Sequence, residues 1–141
     1  MNEREIEFRG KRKDNGEWVK DSLILSEDGN RAFIGHIRFL EDGMPVASYQ
    51  EVIPETVGQY TGLKDRKRTP EYPEGQEIYE GDIVKLDTPE ADVFKTRNRA
   101  IIFNPTFAQF CVDPCTSIAH WPSVEVIGTL HENPELQEAQ P

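Results

Sequence analysis

Two cysteines, Cys111 and Cys115, are spaced C-x3-C, with His120 and His131 downstream. Thiolate and imidazole are soft metal ligands, and two of each in a tetrahedron would make a structural zinc site. The spacing here is one cysteine pair followed by two separate histidines, not that of known zinc fingers. The same thiols beside His120 offer a nucleophile and a base, but no third orienting group and no GxSxG elbow accompany them. A small hydrolase or metal enzyme using Cys111, Cys115, His120 or His131 is therefore the weakest functional reading. The preferred one is two reduced, partly buried thiols with Asp113-Pro114 as a plain turn between them, because a reducing compartment disfavours a disulfide. No metal and no cofactor are expected.

Carboxylates are plentiful, and Glu80 with Asp82 is the pair to weigh for acid–base work. On a strand the two share a face, roughly 7 Å apart at the backbone. Between them stands Gly81, and Glu80-Gly81-Asp82 reads more simply as a tight turn, since Gly tolerates positive φ and Asp bonds its own backbone. His36 has no second titrating residue near it in sequence, so a packed or surface histidine is preferred to a base or ligand. A phosphate-cradling glycine loop ending in GK[ST] is missing. The expectation is a chain that is not an enzyme.

Two basic clusters remain. Arg9, Lys11, Arg12 and Lys13 surround the first hairpin and read as its solvated end in preference to a phosphate or nucleic-acid patch. Lys64, Arg66, Lys67 and Arg68 open a loop that continues through Pro70, Tyr72 and Pro73 to Gln76. These four cations and Tyr72 are the candidate binding residues, because loops carry function disproportionately and an exposed aromatic gives a partner something to grip. The formal net charge of −10 opposes non-specific binding to nucleic acid or anionic membrane. A protein partner is preferred, nucleic acid stays an alternative, and a homo-oligomer is plausible because short-stranded sheets leave edges to be paired. The charged amino end has no signal-peptide pattern and no apolar run approaches about 20 residues, so a cytoplasmic protein is expected.

The elements that must position these residues are strands. Of 141 residues 36% are hydrophobic and 30% charged, enough for a modest core. Residues 5–25 read as a hairpin about Asp14-Asn15-Gly16, a strong turn signal. Glu27-Asp28-Gly29-Asn30 and Glu41-Asp42-Gly43 mark two further turns. Between them runs a strand from Arg31 to Leu40, with Phe33, Ile37 and Phe39 on one side and Ala32, Ile34 and His36 on the other. Val46 to Ile53 returns it, and Pro54 ends it. Three turns between four apolar runs predict an antiparallel meander. Farther on, Ile83 to Leu86, Ala100 to Phe103, Phe107 to Val112, Ile118 to Trp121 and Val124 to Leu130 read as strands. Thr88 to Asn98 reads as a polar link, and one helical turn around Glu132 to Glu138 is allowed.

Two segments are more specific. Val57-Gly58-Gln59-Tyr60-Thr61-Gly62-Leu63 and Ile78-Tyr79-Glu80-Gly81-Asp82-Ile83-Val84 together resemble the YopX family of phage-, prophage- and plasmid-borne proteins. The opening Ile6-Glu7-Phe8-Arg9-Gly10-Lys11 and the closing Val126 to Leu136 match in the same order, so the resemblance spans nearly the whole chain. One departure stands out: the family joins Asp65 to the IYEGD segment by a short Asn-Gly-like turn, where this chain places Arg66 to Gln76. The resemblance implies a mainly β fold with an SH3-like barrel portion (77–131) in its second half; the turn signals place the meander at 5–63, the departure places the inserted loop at 64–76, and a flexible tail (135–141) follows Asn133-Pro134. Gly58, Tyr60, Gly62, Tyr79, Gly81, Asp82 and Gly128 are its structural motif residues. It implies no catalytic residue, which leaves a phage-type accessory protein that binds another macromolecule as the leading expectation.

Overall fold

A computed structural model describes residues 5–87, 97–105, 108–112, 116–117 and 123–136. The fold is mainly β, with two antiparallel sheets and only two single-turn 3-10 segments among the described residues. The chain divides into two compact units, residues 1–60 and 61–141.

The first unit is the meander: β1 (Phe8–Lys11), β2 (Trp18–Leu25), β3 (Ala32–Phe39) and β4 (Pro45–Val52). Each connecting turn uses the same device. A glycine holds positive φ (73° at Gly16, 76° at Gly29, 86° at Gly43). An Asx side chain accepts the backbone N–H two residues on: Asn15 from Glu17, Asp28 from Asn30, Asp42 from Met44, each at 2.9 Å. The strands lie in the order β4-β3-β2-β1, and β1 also pairs with the start of β5 (Gly58–Lys64), Arg9 opposite Gly58.

The meander curls until its ends meet. Arg12 bridges Val52, Lys13 N–H donates to Glu51 C=O (3.1 Å), and Ile53 N–H donates to Lys11 C=O (2.8 Å). Thr56, in the 3-10 turn Pro54–Thr56, accepts from Lys11 N–H at 2.9 Å and donates to Ile53 C=O at 2.6 Å. Ala32, Ile34 and Val52 form the core inside the curl, with Phe8, Val19, Leu23 and Val57 against it. This decides which side of β3 is inner. The Ala32 and Ile34 side is buried, whereas Ile37 (57% exposed) and Phe39 (69%) face solvent.

In the second unit the latter half of β5 lies beside β6 (Glu77–Tyr79), where Thr61 Oγ1 donates to Ile78 C=O at 2.8 Å. The second sheet is β10-β9-β8-β7-β11, built from β7 (Asp82–Asp87), β8 (Arg97–Asn104), β9 (Gln109–Val112), β10 (Thr116–Ser117) and β11 (Ser123–Thr129). Its core joins Ile78, Val84, Leu86, Ile101 and Val124, with Phe110 and Val126 packed on it. Among the described residues this sheet is open, with β10 and β11 at its edges, and its strands do not show a closed SH3-like barrel. Strand β8 begins earlier than Ala100 because its polar start pairs with β7, Leu86 opposite Arg97 and Lys85 opposite Asn98.

The turn between β6 and β7 is structural. Gly81 has φ 92°, buried Asp82 accepts Tyr79 N–H at 2.7 Å, and Gly81 itself bonds Ile101 and Leu130. Glu135 and Leu136, expected in the tail, belong to a second 3-10 turn, Pro134–Leu136. The polar link at 88–96, the turn at Asp113-Pro114, and the Ile118 to Trp121 pairing lie outside the described residues. No helix is long and apolar enough to cross a membrane, among the described residues.

Two outcomes test the curl. A Cβ at Gly10 would lie 2.8 Å from Val52 Cγ2, so Gly10→Ala should cost about 1–3 kcal/mol in urea unfolding, as overpacking does. Gly29, with open space around it, should cost about 1–2 kcal/mol when changed to Ala, from its positive φ alone. Glu51 accepts hydrogen bonds from Arg31 Nη2 (2.7 Å), Arg31 Nε (2.9 Å) and Lys13 Nζ (3.1 Å), which hold its pKa at about 2 against an ordinary 4.5. A depressed carboxylate contributes stability that is complete above its unfolded pKa and lost as pH falls through its folded one. The stability gap between wild type and Glu51→Gln should therefore shrink as pH drops from 4.5 to about 2, read by urea titrations at several pH values.

Candidate binding groove formed by the 65–76 loop

Strand β5 ends at Lys64, and the next residue anchors the loop beyond it. Asp65 is 3% exposed, although it sits in a run of charged residues. One carboxylate oxygen accepts Gln76 N–H (2.9 Å) and the other accepts Val126 N–H (3.1 Å). Its backbone N–H donates to Gln76 C=O (2.8 Å), and its carbonyl accepts Arg68 Nη1 (2.9 Å). Arg66 N–H donates to Val124 C=O at 2.9 Å. Residues 65 and 66 thus run along the free edge of β11, with the Asp65 side chain standing in for a strand's carbonyl. The bonds between Asp65 and Gln76 close the loop at its neck. Gly75 completes the closure: at φ 96° it lies so close that any Cβ would overlap the Asp65 carbonyl.

Inside the neck the chain makes its own turns. Thr69 Oγ1 accepts Tyr72 N–H (2.9 Å), and Tyr72 C=O accepts from Thr69 N–H (3.2 Å) and Gly75 N–H (3.1 Å). The prolines lack donors, which agrees with their position away from any ladder. The loop and β11 enclose a groove of about 400 Å³, lined chiefly by Lys67, Thr69, Pro70, Tyr72, Gln76 and Glu125. That volume falls in the range of small-ligand and side-chain pockets. Burial, and then the nearby charge of Glu71, push the Tyr72 phenol above its usual pKa, so it is a neutral hydrogen-bonding aromatic.

The predicted cations reach this neighbourhood, but three of the four are engaged. Lys67 Nζ donates to Glu125 at 2.8 Å, and that bond raises its pKa. Arg68 is held by the Asp65 carbonyl, and Lys64 Nζ lies 3.5 Å from Glu74. Arg66 is exposed and enters no ion pair among the described residues. The groove is therefore a mixed polar–aromatic surface instead of a cationic one. Asp65 and Glu125 line it and Gly75 closes its neck, and none of the three stands out by residue type or spacing; the position of Gly75 inside a Pro/Gly-rich stretch is the one signal the sequence offers.

Motif residues take backbone roles. Gly58 and Tyr60 are buried beside β1, where Tyr60 N–H donates to Glu7 C=O (2.8 Å). Gly62 holds φ 88°. Gly128 follows the register break in β11, and a Cβ there would lie 2.6 Å from Asn133 Oδ1. Cys111 is fully buried in β9 and His131 is exposed in a turn; Cys115 and His120 lie outside the described residues. His36 does have a partner: its Nδ1 lies 2.6 Å from Asp21 Oδ2 on the neighbouring strand, and that bond lowers the Asp21 pKa. Both side chains are more than a third exposed, which makes the pair a surface contact of small energetic weight.

The neck has a measurable weight. Asp65→Ala strands the Gln76 and Val126 N–H groups in a partly buried site, which should cost about 1–3 kcal/mol. Limited proteolysis should then cut between Arg66 and Glu74 faster than in wild type, whereas Glu71→Ala at the loop tip should leave the cleavage rate unchanged.

A solved structure shares this fold. A search of curated proteins finds no match. The crystal structure of protein EF1440 from Enterococcus faecalis is similar over 94% of this chain and 98% of its own, with a TM-score of 0.59 and 25% identity. A family model described as YopX protein matches residues 7–138. That match covers nearly the whole chain, and the chain belongs to the YopX family.

Proposed function

We propose that this chain is a non-enzymatic, phage- or prophage-type accessory protein that acts in the bacterial cytoplasm by binding another macromolecule, with the 65–76 loop as its contact surface. The observation that carries the reading is the pinned neck. A loop held by a buried carboxylate, a clamped glycine and a strand edge displays its groove at little ordering cost, and preorganisation of that kind favours binding. Tyr72 supplies the amphipathic aromatic, and Arg66 a cation still available to a partner. In this reading the five-stranded sheet is the SH3-like half of the family fold, and residues 65–66 take the place of a closing strand along β11.

A protein partner is preferred to nucleic acid. The charge of −10 repels phosphate, and Lys64, Lys67 and Arg68 are already occupied by Glu74, Glu125 and the Asp65 carbonyl. A photo-crosslinking residue at position 72, irradiated in host-cell lysate, should trap a protein that the same probe at Gly29 does not. Absence of any position-specific adduct counts against the reading. Fluorescence anisotropy should find no binding to single- or double-stranded DNA or RNA; binding that weakens steeply with added salt would transfer the assignment to the nucleic-acid alternative.

A further inference from the structure

Strand β4 is an edge strand with an apolar outer face. Met44 to Gln50 carries no charge in a chain where 30% of residues are charged. Beside it Ile37, Phe39, Leu40, Met44 and Tyr49 are 41–69% exposed. Natural edge strands are commonly guarded by charges, bulges or cover. Here Pro45 guards one end, and the β1 extension covers the other.

The backbone says which part is open. In a strand the N–H and C=O of one residue point to the same edge, and successive residues alternate. Glu51 C=O and Ile53 N–H are taken by Lys13 and Lys11, so the odd-numbered residues of β4 point away from β3. Ala47 and Tyr49 therefore present their backbone groups at this edge, and no strand pairs with them there among the described residues. Pro45 has no N–H to present.

We infer that the occupant of this edge is a second copy of the same chain, its β4 antiparallel to the first about a twofold axis near Ala47 and Ser48. Charge selects that occupant. The one acid on β4, Glu51, is neutralised by Arg31 and Lys13, so two strongly acidic chains meet here without carboxylates opposed across the seam. The hairpin is also bipolar. Glu41 and Asp42 are exposed at the β3–β4 turn, and at the opposite end of β4 the exposed Lys13 and Arg31 with Glu51 leave one net positive charge. Antiparallel pairing brings each copy's acidic turn to the other's basic end. Tyr49, steadied edge-on against Phe33 at 5.3 Å, then packs over the second copy's strand. An isologous twofold contact of this kind is the commonest route to a homodimer.

Sedimentation velocity across a concentration series tests this on the full chain. Wild type should be a dimer at micromolar concentration. Ala47→Pro removes an outward N–H that no strand pairing within the described residues uses, and should loosen the dimer by roughly ten-fold or more. Tyr49→Lys, on the exposed face, should do the same with an unchanged circular-dichroism spectrum, which covers the case where Ala47→Pro disturbs the fold. Glu41→Lys should weaken association more at low salt than at high salt. A wild-type chain that stays monomeric at roughly 100 μM, or a dimer indifferent to both Ala47→Pro and Tyr49→Lys, overturns the inference.

Discussion

The second half of the molecule depends on where one buried carboxylate finds its donors. Asp65 has almost no contact with water, and an ionisable group in that position must be hydrogen-bonded or it opposes folding. Its two oxygens reach Gln76 and Val126, residues 11 and 61 positions away. That single side chain fixes the start of the loop, its end and the edge of β11 in one place. Arg66 then lies along β11 and Arg68 turns back to the Asp65 carbonyl, so the loop's entry is set by the bonds that satisfy the carboxylate.

The same constraint governs the character of the loop surface. Because the neck is held against β11, Lys67 faces Glu125, and a cluster that is cationic by count is close to neutral in place. Cation availability is a property of the fold as much as of composition. A loop with the same residues but no anchor would present a basic patch; this one presents an aromatic groove with paired charges at its rim.

Much of the architecture is legible in the sequence, and the reasons are local. Each hairpin turn combines an Asx acceptor with a glycine one residue later, chemistry that acts within four residues and needs no tertiary context. The Glu80-Gly81-Asp82 turn is equally local, though there Asp82 follows the glycine and accepts the Tyr79 N–H from three residues back. The illegible part is non-local. Asp65 reads as one charge among many until Val126 is beside it. His36 finds Asp21 only because β2 and β3 pair in one register. Periodicity separates the two sides of β3 but does not say which is inner; the bridge between Arg12 and Val52, forty residues apart, bends the sheet and decides it. The apolar run Ala100 to Phe103 marks only part of β8, because the strand's polar first residues carry no apolar signal although they pair well with β7.

The neck between Asp65 and Gln76 has an evolutionary corollary. Asp65, Arg66, Gly75 and Gln76 close the loop at its base, so the eight residues from Lys67 to Glu74 behave as a cassette. Lengthening such a segment adds only logarithmically to the entropy of closure. Exchange of its contents would leave both cores undisturbed, and an ancestral short turn could grow into this excursion stepwise, with recognition free to drift while the scaffold keeps its shape.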